Sequence, residues 1–127
     1  MSTTFLRPMS EIDRIHLRYW QNGAQALNPI CGYVLVNKED IPQLVAYLLP
    51  CPNGVAFIAS IIASPFLSKD DRRKYLKTMV QYLLDQARSM GCVRVITTPT
   101  VDSLTRLFSD SGFTLYPRKA DYLWKDL

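Results

Sequence analysis

Apolar and polar positions alternate in blocks that change period along the chain, and the sharpest block lies in the second half. Val55-Ala56-Phe57-Ile58-Ala59-Ser60-Ile61-Ile62-Ala63 is apolar throughout except for Ser60. It is bounded by the turn-forming Pro50-Cys51-Pro52-Asn53-Gly54 and by Pro65, so it predicts a buried strand. Beyond Pro65 the period becomes helical: Leu76, Val80, Leu83, Ala87 and Met90 form a stripe, with Met79 and Leu84 beside it. Ser68-Lys69-Asp70-Asp71 has the form of a capping box with Asp in place of Glu, and Gly91 suits the residue just past the helix end. Val93 to Thr98 predicts a further strand. Thr100 or Asp102 caps a short helix that stops at Gly112. Thr114–Tyr116 and Ala120–Trp124 form a closing hairpin across Pro117-Arg118-Lys119.

The first half is patterned more weakly. Thr3 to Arg7 has strand character and stops at Pro8. Ser10 predicts an N-cap, and Ile12, Ile15 and Tyr19 recur at helical spacing, which predicts an amphipathic helix over residues 11–20 with that stripe inward. Asn22-Gly23 breaks it, and residues 22–31 form a loop or a short irregular helix. Gly32 to Val36 is a strand, Asn37 to Asp40 a turn and Ile41 to Leu49 a second strand. Pro42 at its start costs no ladder bond. A helix over Gln43 to Leu49 competes for that last segment.

Size and composition narrow the class. A chain of 127 residues with 48% hydrophobic and 20% charged residues fits one domain, residues 1–127, with a real core. No apolar run reaches a membrane span, and the N-terminus lacks a basic segment followed by an apolar one, so the expectation is a cytoplasmic protein. Cys31, Cys51 and Cys92 are widely spaced and His16 is the single histidine, which argues against a metal site and for buried or half-buried free thiols. The net charge of +4 is uneven. Residues 1–64 balance four Lys/Arg against four Asp/Glu, whereas residues 65–127 carry eleven against seven. Lys69, Arg72, Arg73, Lys74 and Lys77 concentrate it on one helix, a field that attracts phosphates, nucleic acid or an acidic protein face.

The order of apolar strand, Pro65, long helix, Gly91-Cys92, apolar strand, short helix and Gly112-Phe113 resembles the acyl-CoA-binding half of a GNAT N-acetyltransferase. The first half fits the same order. The resemblance implies an α+β fold, a single domain with a central mixed β-sheet flanked by helices and one splayed strand pair. It implies acetyl-CoA as cofactor and transfer of its acetyl group to an amine. Pantetheine would pair with the backbone of Ile61, Ile62 and Ala63. Pyrophosphate would rest on amides opening the helix after Pro65, normally in a Q/R-x-x-G-x-G/A loop whose glycines let the phosphate approach. This chain has no glycine there. Counted back from Gly91, Arg72-Arg73-Lys74-Tyr75-Leu76-Lys77 covers the motif; counted forward from Pro65, Ser68-Lys69-Asp70-Asp71 does. Arg72, Arg73, Lys74 and Lys77 would then replace the glycines by charge pairing.

Many GNAT enzymes carry a tyrosine four residues before the Gly of Gly-Phe, where it protonates the leaving thiolate; here that position is Phe108. The general base is usually a carboxylate on the central strands. Val55–Ala63 and Val93–Thr98 contain none, and Glu39 and Asp40 lie in a distant turn. Tyr116, Ser64, Ser60 and Thr97 remain as polar candidates. His16 has no partner at a telling spacing. Tyr19, Trp20 and Tyr33 line either a substrate pocket or the core. Compact GNAT-like proteins of short-tailed bacteriophages are similar in the Arg-Arg-Lys-Tyr helix region, which implies host cytoplasm or virion as the location and a role in virion assembly or host modification.

Two functions stay open. One is a working N-acetyltransferase with a glycine-free CoA loop. The other is a catalytically silent GNAT-fold protein acting through a protein partner, with Tyr75 and Phe108 closing the cleft. The basic helix start is also readable as plain solvated surface, and a nucleic acid is the least expected partner. Tyr122 and Trp124 on the last strand would suit a partner surface or a homo-oligomer.

Overall fold

The protein is described from a computed structural model covering residues 4–20, 31–97, 102–115 and 123–127. The elements are β1 (Phe5–Pro8), α1 (Asp13–Leu17), β2 (Gly32–Val36), β3 (Pro42–Cys51), β4 (Val55–Ala63), α2 (Lys69–Ser89), β5 (Arg94–Thr97), α3 (Asp102–Asp110), β6 (Thr114–Leu115) and β7 (Leu123–Asp126). The strands form a mixed sheet in the order β1-β2-β3-β4-β5-β7-β6. The α+β class expected from the sequence is therefore the observed one.

The chain divides into two compact units, Met1–Tyr47 with Ser60–Met79 and Leu48–Ala59 with Val80–Leu127. In the first, β1 and β2 pair antiparallel from Phe5↔Val36 to Pro8↔Tyr33, and β2 pairs antiparallel with β3 from Gly32↔Tyr47 to Val36↔Pro42. Its core gathers Met9, Leu17, Trp20, Val34, Val36, Val45, Tyr47 and Ile62. Burial raises the Tyr47 phenol above its ordinary value, and its hydroxyl donates to Met9 Sδ at 3.5 Å. Five consecutive residues of β3, Leu44 to Leu48, are buried. Such a run reads equally as helix or strand, and the ladder to β2 decides for the strand.

In the second unit, β4 and β5 run parallel from Val55↔Arg94 to Ile58↔Thr97. The remainder of β4 continues to Ala63 with no β5 partner among the described residues. β7 pairs antiparallel with both β5 and β6. The closing hairpin is thus present, but its second strand runs to Asp126 rather than stopping at Trp124. Tyr122 lies outside the described residues.

Two helices end in the same way. At α2, Cys92 N–H donates to Ala87 O (2.9 Å) and Gly91 N–H to Arg88 O (3.0 Å), with Gly91 at φ +82°. At α3, Phe113 N–H donates to Phe108 O (3.0 Å) and Gly112 N–H to Ser109 O (3.1 Å), with Gly112 at φ +93°. Both are Schellman closures, in which glycine takes the left-handed residue without steric cost.

The sequence expectation fails at α1. The regular helix is five residues long, not ten, and Ile12, Ile15 and Tyr19 are 70%, 57% and 80% exposed. Asp13, Leu17 and Trp20 are buried instead. The Ser10 side chain does not cap α1: the Ser10 N–H and Oγ donate to Asp13 Oδ2 at 2.8 and 3.2 Å, and only its carbonyl accepts from the Asp13 amide (3.1 Å). Along α2 the stripe shifts slightly: Tyr75 is buried, Leu76 is half-buried and Met90 is exposed. Val93 is exposed and precedes β5. Cys51 is exposed, so only Cys31 and Cys92 match the expected sheltered thiols.

Candidate functional site

The turn from β4 into α2 is built by Ser64. Its amide donates to Gln43 O (2.9 Å), its Oγ accepts from Phe66 N–H (3.2 Å), and its carbonyl accepts from Leu67 N–H (3.3 Å). Only 5% of Ser64 is exposed, so this candidate hydroxyl serves the turn. The same turn leaves Phe66 86% exposed. Ser68 then caps α2: its Oγ accepts from Asp71 N–H (3.1 Å), and its carbonyl takes the first helical bond from Arg72 N–H (2.9 Å).

This start fixes which residues meet an anion. The helix opens at Lys69, so counting forward from Pro65 gives the register the backbone adopts. Lys69 and Asp70 hold the first amides, which have no intrahelical acceptor. Arg72, Arg73 and Lys74 fall within the next turn instead. No glycine occurs between Ser64 and Lys74, and Asp70 and Asp71 stand in the first turn. Those carboxylates suit the helix dipole and oppose a second anion at the same amides.

The five cations are all exposed, but they do not share a face. Arg72 precedes the buried Met79 by seven residues and Leu83 by eleven; Arg73 has the same spacings to Val80 and Leu84. Arg72 and Arg73 therefore prolong the buried stripe of α2 into solvent. Lys74 keeps helical spacing with the exposed Thr78, Gln81 and Asp85 on the other side, and Lys77, four residues after Arg73 and seven before the buried Leu84, borders both.

The remaining candidates separate likewise. Phe108 is 1% exposed, and its ring meets Phe113 edge-on at 5.0 Å between centroids. It is the inner member of the hydrophobic contact that accompanies a Schellman closure, and a phenyl group carries no transferable proton. Thr97 is buried and its Oγ1 donates to Ile58 O at 3.3 Å, at the last β4–β5 rung. Ser60, Ile61 and Ala63 are half-buried on the C-terminal part of β4, and Ile62 is buried. Tyr75 is buried, so it offers no exposed face for stacking. Asp40 binds Arg7 Nε at 3.1 Å, Glu39 is exposed and His16 is half-buried. Tyr116 lies outside the described residues. Among the described residues no three His, Cys, Asp or Glu side chains gather as metal ligands. No helix among them is long and apolar enough to cross a membrane. Exposed Phe66 was not foreseen; its place between Pro65 and the Ser68 cap, off any periodic stripe, was the signal.

Tested against acyl-CoA, these residues fit in part. The extended Ser60–Ala63 backbone offers amides and carbonyls to a pantetheine arm, itself a chain of amides. The first turn of α2 does not fit a diphosphate, for want of glycine and because of Asp70 and Asp71.

The fold is that of GNAT acetyltransferases. N-acetylglutamate synthase from Neisseria gonorrhoeae, complexed with coenzyme A and L-arginine, superposes with a TM-score of 0.79 at 15% identity, covering 100% of this chain and 34% of its own. The chain thus spans about a third of that enzyme. A GNAT-family acetyltransferase from Staphylococcus aureus Mu50 gives 0.78 at 12% identity, with 98% and 99% covered. The C-terminal condensation domain of Ebony, in complex with β-alanyl-dopamine, gives 0.78 at 12% identity, covering 100% of each chain. No protein-family model matches the sequence, and no curated protein does.

Proposed function

We propose that this chain is an N-acyltransferase that moves an acetyl group from a pantetheine thioester, acetyl-CoA in its simplest form, to an amine. The observation that carries this reading is β4. Among the described residues it pairs with β5 from Val55↔Arg94 to Ile58↔Thr97, runs on in extended form to Ala63, and turns through Ser64 into α2. An extended strand that leads past its described parallel rungs into a helix start suits a ligand that pairs like a strand.

The thioester supplies the activated acetyl group: its C–S bond breaks as the C–N bond to the amine forms, and the amine's proton passes to the departing thiolate through water. The backbone of Ile61, Ile62 and Ala63 binds and orients the arm. An N–H on that stretch polarises the carbonyl. Thr97 holds the Ile58 carbonyl through its Oγ1 (3.3 Å) and so fixes β4 just before that stretch. Rate enhancement then rests on positioning and polarisation rather than on a general acid, because Phe108 occupies the tyrosine position. Arg72 and Arg73 are the cations placed to meet a donor phosphate. Calorimetry with acetyl-CoA and with S-acetylpantetheine tests the reading. Millimolar to micromolar binding of at least one supports it, and silence of both at near-millimolar ligand removes it.

A second reading, a silent GNAT-fold protein that works through a protein partner in a virion or a host cell, is favoured by Phe108 and by Asp70 and Asp71. Under it, neither donor binds and charge reversal at Arg72, Arg73 and Lys74 abolishes partner capture. Retention of every partner by that variant would remove the basic helix start as the interface.

A further inference from the structure

We infer that the acyl donor reaches this protein as a phosphopantetheine thioester on an acidic carrier protein, not as free acyl-CoA. The inference rests on the acyltransferase reading and specifies its donor.

Charge supplies the first argument. The free amides at the start of α2 belong to Lys69 and Asp70, and Asp70 and Asp71 bring two carboxylates there. A CoA diphosphate would add charge of the same sign at the same place, with no glycine to let it approach the backbone. A carrier-bound arm ends in one phosphodiester, with half that charge, and its next atoms are protein.

The distribution of the cations supplies the second. The exposed Lys69, Arg72, Arg73, Lys74 and Lys77 are spread from the start of α2 over about 12 Å along its axis, and around more than one face. That spread suits a broad acidic surface seated over the helix start better than one phosphate group. The third is Phe66. An aromatic ring 86% exposed in the turn that leads into the helix carrying Arg72 and Arg73 has the composition of a protein interface, an apolar anchor with a basic rim. The excess charge of residues 65–127 gives the long-range attraction for an acidic partner. A polynucleotide fits less well, because its regular phosphates would track past Asp70 and Asp71, while a protein can space its carboxylates around them.

The transfer step is unchanged by the carrier. The acyl C–S bond breaks, the C–N bond forms, and the carrier's thiol regains the proton that the amine loses.

The test measures binding of three donors to the full chain: S-acetylpantetheine, acetyl-CoA and an acyl carrier protein charged with acetyl-phosphopantetheine. The expected order has the two small donors within about threefold of each other and the charged carrier about tenfold tighter or more. Arg72→Glu with Arg73→Glu should cost the carrier about tenfold and leave the uncharged S-acetylpantetheine unaffected. Asp70→Asn with Asp71→Asn should tighten acetyl-CoA by about tenfold. Acetyl-CoA binding tenfold tighter than S-acetylpantetheine in the unmodified chain overturns the inference, because the nucleotide end is then held. A carrier no tighter than acetyl-CoA overturns it too, as does a short RNA that outcompetes the carrier with a steep salt dependence. In each of those cases binding of S-acetylpantetheine leaves the acyltransferase reading standing; silence of both small donors removes that reading and this inference with it.

Discussion

Helices α1 and α2 are held in opposite ways. α2 carries its own boundary signals, the Ser68 cap at one end and the Gly91 closure at the other, with 21 helical residues between them. α1 has five residues and no side-chain cap. Such a segment does not form by itself, because one turn cannot repay nucleation. It is held from outside. Arg7 on β1 reaches across with Nη1 and Nη2, each 2.8 Å from an oxygen of Asp13, while Ser10 donates to the same carboxylate. Leu17 and Trp20 anchor its other end in the core. Boundaries written into local sequence are readable from local sequence. Boundaries imposed by a side chain on another strand are not.

The largest effect should come from removing the outside support. Asp13 is 1% exposed and Arg7 27%. Asp13→Ala removes the paired bonds from Arg7, which keeps Asp40 and the Pro8 carbonyl, and should cost about 2–3 kcal/mol in denaturant unfolding at neutral pH. Acid should do the same more gradually. Burial pushes the Asp13 carboxyl up, but hydrogen bonds from Arg7 and the Ser10 amide, with the Arg7 charge, outweigh it and hold the carboxyl below its ordinary value. A depressed carboxylate contributes fully above the unfolded value of about 4, and the contribution is lost as pH falls below that through the folded value. Unfolding curves at pH 7 and pH 3 should therefore converge in Asp13→Ala relative to the unmodified chain. A cost below about 1 kcal/mol would mean that Leu17 and Trp20 alone hold α1, and the contrast with α2 would shrink.

The next effect sits at the end of α2. A Cβ on Gly91 would meet nothing within 4 Å, so Gly91→Ala tests the left-handed backbone alone. The expected loss is about 1–2 kcal/mol in thermal or urea melts. Ser68→Ala removes the cap at the other end and should cost about 1 kcal/mol, read in the same way. Both being silent would mean that α2, like α1, depends on its surroundings.

Legibility follows the same division. β2 and β4 were readable because turn residues bracket uniform apolar runs, and both occupy the expected residues, Gly32–Val36 and Val55–Ala63. β3 was ambiguous over Leu44–Leu48 because burial on both faces erases the strand period, and its end at Cys51 was set past Leu49 by pairing rather than by composition. On α2 the stripe was displaced, since Leu76 and Tyr75 differ by one position and either continues a helical repeat. At the site, the Ser68 start and the lack of glycine were visible in the chain. The separation of Arg72 and Arg73 from Lys74 needed burial along the helix. Phe108 was identified as lacking a proton, but its partnership with Phe113 required the α3 closure.

The smallest effect is the one that bears most directly on α1. Ile12, Ile15 and Tyr19 have the spacing of a core stripe and are exposed, while Asp13, Leu17 and Trp20, also at helical spacing and one or two positions later, are buried. Two faces of a short segment therefore compete for the inside, and the Arg7–Asp13 pair selects the one with a carboxylate on it. If that selection holds, Ile12→Ser and Ile15→Ser should each change stability by no more than about 0.5 kcal/mol, as surface substitutions do. A loss above about 1 kcal/mol from either would show that the apolar stripe is covered in the folded protein. The hydrophobic pattern would then have been the better guide to α1, and the ion pair a consequence of its placement rather than the cause.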